Sequence, residues 1–107
     1  MAVRQHKPYY AVIFSSQRSK EDEAGYQAMA ERMFMLAQKQ AGYLGFESVR
    51  DQNGSGISVS YWKDKASIKA WKDQTDHLVA QRQGRSRWYT QYKIRIAIVK
   101  NEYSFKK

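Results

Sequence analysis

The chain has 107 residues, 42% of them hydrophobic and 14% aromatic, which makes one globular domain and leaves no room for two. It contains no cysteine, so disulfides, thiolate metal sites and cysteine nucleophiles are excluded. Nineteen Lys and Arg against ten Asp and Glu give a net charge of +9, a balance that suits anionic ligands or nucleic acid. The charges are scattered singly, however, and the one dense cluster is 82–87, so most of the excess reads as solvated surface. No apolar run is long enough for a signal-peptide core or a membrane span, which leaves a cytoplasmic protein as the expectation.

Residues 1–8 are polar and basic without periodicity, and the sequence predicts a flexible arm ahead of a single domain over 9–105. Tyr9 to Ser15 is a short run of β-branched and aromatic residues, a buried strand. A helix follows, with Ser19 placed as N-cap and Asp22 answering it. Tyr26, Met29, Ala30, Met33, Leu36 and Ala37 recur at helical spacing, and Gly42 closes the helix. Tyr43–Arg50 and Ile57–Trp62 flank the turn residues Asp51–Gly56 and read as a hairpin. Gly54 and Gly56 lead into a strand rather than a helix, so they punctuate a turn and cradle no phosphate. Asp64 caps a second helix with a stripe of Ile68, Trp71, Thr75, Leu78, Val79 and Arg82 that ends near Gly84. Tyr92–Lys100 is a last strand, with Ile94, Ile96 and Ile98 on one face and Lys93, Arg95, Ala97 and Val99 on the other.

The order β-α-β-β-α-β is the ferredoxin-like arrangement, an α+β fold with a four-stranded antiparallel sheet and both helices on one face. Arg95, Ala97 and Val99 then lie on the uncovered face, with Ser58, Ser60 and Trp62 or their alternates beside them. A homodimer through the sheet faces would cover them. RNA-binding domains share this topology, but here the third strand has serines where base-stacking rings belong, which argues against nucleic acid. His77 has no metal-ligand partners at useful spacing beyond Asp73 and Asp76, so no metal site is expected.

The segment 58–99 holds all three tryptophans and a mixture of aromatic surface with convergent polar groups. Ser58-Val59-Ser60-Tyr61-Trp62, followed by Asp64, Ile68 and Trp71, resembles the antibiotic biosynthesis monooxygenase domain of the dimeric α/β-barrel superfamily. The run His77-x-x-Ala80-Gln81-x-x-Gly84-Arg85-x-x-Trp88-Tyr89 is similar to an uncharacterised bacterial branch of it, and the resemblance spans Tyr9 to Phe105. It implies a dimeric barrel with a pocket between sheet and helices. In some members such a pocket oxidises aromatic substrates with O₂ and without metal or flavin; other members degrade haem, are isomerases or have no assigned activity. The haem-degrading branch uses a helix Trp, matched by Trp71, and a His ten residues on, where this chain has Gln81. It also uses an Asn near the end of the first strand, where Phe14-Ser15-Ser16-Gln17 stands.

The resulting expectation is a cofactor-independent monooxygenase for an aromatic small molecule, with haem chemistry or a non-catalytic ligand-binding dimer as alternatives. Trp62, Trp71, Arg85, Trp88 and Arg95 would bind substrate. His77 or Tyr89 would orient or deprotonate a phenolic hydroxyl, and Arg85 or Arg95 would hold the anion.

Overall fold

The computed structural model describes residues 3–81 and 87–107, excepting the side chains of 3–6 and 76–81. Six elements follow one another: β1 (Val3–Arg18), α1 (Glu23–Gln38), β2 (Tyr43–Arg50), β3 (Ser55–Trp62), α2 (Lys65–Gln81) and β4 (Tyr89–Tyr103). The strands form one antiparallel sheet in the order β2-β3-β1-β4, the predicted ferredoxin-like α+β topology.

Three local details depart from expectation. The stretch read as a loose arm is paired from Val3 onward, with Val3 opposite Tyr103 and Gln5 opposite Asn101. β4 is correspondingly longer than its strictly alternating segment, because two-stranded pairing continues past the point where apolar patterning stops. The cap of α1 is Asp22, not Ser19. Asp22 adopts φ +52° and its carboxylate accepts from the Gly25 amide at 3.2 Å, and a side chain at Gly25 would collide with that carboxylate. A carboxylate against the first turn also complements the helix dipole better than a hydroxyl three residues earlier. Ser19 instead donates to the Arg87 carbonyl at 2.6 Å and accepts from the Glu21 amide. Asp64 caps α2 as expected, accepting from the Ser67 amide at 2.8 Å.

Register sorts the side chains onto two faces. Tyr43, Trp62, Tyr10 and Ile98 form one row, and Phe46, Ser60, Val12 and Ile96 the next. Ser48, Ser58, Phe14 and Ile94 follow, then Arg50, Gly56, Ser16 and Tyr92. These rows face the helices, since Ala37 and Ile68 pack with Trp62, Tyr10 and Tyr43. On the other face the β3 alternates Ile57, Val59 and Tyr61, rather than Ser58, Ser60 and Trp62, join Arg95, Ala97 and Val99. α1 packs on the start of β4 at Tyr89, while Ile94, Ile96 and Ile98 further along that strand remain 43–56% exposed.

Candidate functional site

The space between helices and sheet holds two clusters at opposite ends of β1. The first centres on Trp62, fully buried, with Ala37 and Ile68 and the flanking rings of Tyr10, Tyr43 and Trp71. Trp62 stacks on Trp71 at 5.9 Å, meets the edge of Tyr43 at 5.7 Å, and donates its indole N–H to the Ser60 hydroxyl at 2.8 Å. With its only polar atom satisfied and no exposed area, Trp62 is packed as core.

The second cluster centres on Met29 and Trp88, with Tyr26, Met33, Leu36 and Tyr89 around them. Trp88 donates its indole N–H to the Asp22 carboxylate at 3.2 Å, which ties the start of β4 to the cap of α1. That bond, with the Gly25 amide and the nearby Arg87 and Arg18 cations, holds the Asp22 carboxyl below the usual carboxylate range. Arg18 is buried at the end of β1 and donates to the Trp88 carbonyl and to Glu23. Its guanidinium lies 3.7 Å from the centroid of the Tyr26 ring, and that of Arg50 lies 6.0 Å from it. Arg50 is held by the Ser16 hydroxyl at 2.9 Å and by the Gly54 carbonyl.

Tyr89 meets Phe14 at 5.3 Å, Tyr26 at 6.0 Å and Tyr92 at 6.0 Å. Burial pushes its hydroxyl well above the ordinary tyrosine value, and the adjacent Tyr26 hydroxyl adds to this. Tyr89 is therefore a protonated hydrogen-bond donor at neutral pH. The sheet beneath is small and polar: Ser48, Ser58, Ser16 and Gly56 alternate with Phe14 and Arg50 in two adjacent rows. Aromatic rings, two guanidiniums and a donor phenol thus converge over a floor of hydroxyls. Rings, cations and a donor phenol are the groups that would hold a flat, partly anionic molecule.

Register separates the residues singled out in the sequence. Trp62 lies opposite Tyr10, while Tyr89 lies opposite Arg18, eight residues along β1 or roughly 26 Å at strand rise. Trp62 and Trp71 share one end, and Trp88 and Tyr89 the other. Arg95 lies on the opposite face of the sheet, exposed beside Lys93, and so does not face any of these tryptophans. His77 falls within α2, but its side chain, like all of Arg85, lies outside the described residues. Tyr26, Arg18, Arg50 and Phe14 were not singled out. Arg18 carries no signal that distinguishes it among nineteen basic residues, and the β3 serines were read only as an argument against base stacking, though their alternation places them beneath the helices.

The fold and its half-covered sheet define a ferredoxin-like α+β domain, and the chain belongs to the antibiotic biosynthesis monooxygenase family, whose model matches residues 8–83. It is similar to the uncharacterized protein YqjZ of Bacillus subtilis (strain 168), with 50% identity over 98 residues, covering 92% of this chain and 85% of that protein. Among solved structures it resembles NE2512, a protein of unknown function from Nitrosomonas europaea. The TM-score there is 0.72 at 12% identity, covering 95% of this chain and 98% of the other. It also resembles SnoaB, a cofactor-independent oxygenase from Streptomyces nogalater, with TM-score 0.63 at 13% identity over 86% of this chain and 92% of the other. Among the described residues no helix is long and apolar enough to cross a membrane.

Proposed function

We propose that this chain is an oxygenase-type oxidoreductase that oxidises an aromatic small molecule with O₂ and without a cofactor, as a homodimer joined through the open sheet faces. The observation that carries this reading is the partly buried Tyr89 ring set beside Tyr26, with Arg18 and Arg50 close to the Tyr26 ring. Family membership and the likeness to a cofactor-independent oxygenase support it.

In this reading the substrate lies over Ser58 and Phe14 against Tyr26. Its hydroxyl loses a proton, and the resulting aromatic anion supplies the electrons that O₂ accepts. One oxygen atom stays on the substrate and the other leaves as water. Tyr89 donates to the developing oxyanion rather than acting as base, because a phenol whose pKa is raised is a poor proton acceptor near neutrality. His77 takes the base role, Trp88 backs the site, and Trp62 with Trp71 belongs to the core.

Oxygen uptake by chelator-treated protein, measured with a panel of polycyclic phenols and quinols, tests the reading. Tyr89→Phe is expected to lower the rate by about 10²-fold, the scale of one lost oxyanion donor. His77→Ala is expected to lower it by a similar factor. Binding of panel members with no oxygen uptake would replace the reading by that of a ligand-binding protein, and unchanged rates in Tyr89→Phe would remove Tyr89 from the mechanism.

A further inference from the structure

Arg18 and Arg50 both approach the Tyr26 ring, but only one of them has its charge answered. Arg18 pairs with the Glu23 carboxylate at 2.8 Å and also donates to the Ser19 and Trp88 carbonyls. Arg50 meets neutral acceptors alone, the Ser16 hydroxyl and the Gly54 carbonyl. Among the described residues it forms no ion pair. The carboxylate of its chain neighbour Asp51 belongs to the hairpin turn, where it accepts the Asn53 and Ser55 amides at 2.9 and 3.0 Å.

The row Arg50, Gly56, Ser16, Tyr92 accounts for this placement. Arg50 stands on the edge strand β2, and its guanidinium crosses over β3 to reach Ser16 on β1. It can do so because β3 carries Gly56 at the crossing, where a Cβ would lie 2.6 Å from the guanidinium carbon. A half-buried cation is thereby held on the serine floor beside Tyr26. Two of its terminal nitrogens are engaged, and a guanidinium has further N–H donors in the same plane. Its charge also reaches Tyr89: burial and the Tyr26 hydroxyl raise that phenol's pKa, and Arg50 and Arg18 work against the rise.

A guanidinium drawn partly out of water with its charge unanswered is matched best by a planar oxyanion, met through paired N–H donors. A substrate that is neutral until it loses its reacting proton would leave this cation unmatched while it binds. Resting on the oxygenase reading above, we propose that the substrate is an aromatic carboxylic acid and that Arg50 holds its carboxylate. Tyr89 is left to meet the reacting hydroxyl, so two oxygen groups of one molecule are addressed by two different residues. Arg18, already paired with Glu23, backs the Tyr26 ring.

The test is calorimetric titration with two probes that differ in one group, a hydroxynaphthoate and the naphthol of the same ring skeleton. Wild type is expected to bind the hydroxynaphthoate about tenfold or more tightly, and Arg50→Gln to lose most of that preference. A chain of net charge +9 favours any anion, so Lys106→Gln serves as the charge-matched control and should keep the preference. Gly56→Ala retains the arginine but displaces its guanidinium, and should lose the preference as well. It carries the test if thermal melting shows that Arg50→Gln does not fold. Equal affinity for the two probes, or no binding of the hydroxynaphthoate, overturns the proposal. So does a preference that survives in Arg50→Gln or Gly56→Ala, or one lost equally in Lys106→Gln. Oxygen uptake is read separately. An Arg50-dependent preference without uptake from either probe removes the oxygenase reading and leaves the carboxylate site standing, whereas equal binding with uptake from both does the reverse.

Discussion

The two ends of the layer beneath the helices are built from the same residue classes and behave as opposites. At the Trp62 end, three further aromatic rings close around an indole with no exposed area, and its N–H is answered by a neighbouring serine. At the Tyr89 end, rings are equally dense, but two guanidiniums and a half-buried phenol stand among them over a floor of serines. Aromatic content therefore does not mark a site. What separates the two ends is charge held in place by hydrogen bonds, a cost that packing alone would not require.

The largest way to sharpen this contrast is Trp62→Ala. Truncating a fully buried indole is expected to cost about 3–5 kcal/mol, read as a fall in the urea midpoint at unchanged slope. A cost below about 1 kcal/mol would show that this end is not the core. A smaller effect is expected from Tyr89→Phe, and it depends on pH. The folded-state pKa of Tyr89 lies above its ordinary value of 10.0, so below pH 10 both folded and unfolded chains keep the proton. Above that value the unfolded chain ionises first, and stability falls as pH rises towards the folded pKa. Melting temperatures followed from pH 9 to 11 should fall more steeply in wild type than in Tyr89→Phe, and parallel curves would contradict the burial of this hydroxyl.

The smallest effect belongs to Asp22, whose folded pKa lies below the ordinary 3.8. Its contribution is present above pH 3.8 and is lost as pH falls through the lowered value. Asp22→Asn should flatten the acid limb of the stability curve between about pH 4 and 2, and an unchanged limb would mean that the Trp88 bond does not favour the ionised form.

Much of the architecture could be read before any coordinates. Strict alternation in 93–99 assigned the two faces of β4 correctly, and Asp51–Gly56 located the hairpin. Asp64 announced its own helix. The candidate site was much less legible. Periodicity reports which face a residue occupies, but not how far along a strand it sits, so Trp62 and Trp88 looked like neighbours when they lie at opposite ends of β1. Arg95 was placed on the correct face, which is the one opposite the tryptophans it was grouped with. Tyr26 was read only as one position of a helical stripe, and nothing local shows that two guanidiniums converge on it.

The pairing of β1 with β4 also bears on how the chain folds. β1 is an inner strand, and one of its two edges is completed by the last of the six described elements; Tyr9 reaches Glu102 across 93 residues of sequence. Contacts this distant in sequence must be closed against the entropy of all the chain between them, which slows folding. During synthesis β1 can pair with β3 early, but its other edge stays open until β4 emerges. An apolar strand with an unsatisfied edge is then the species most exposed to pairing with another chain. Refolding yield should therefore fall with protein concentration more steeply than the size of the chain alone would suggest.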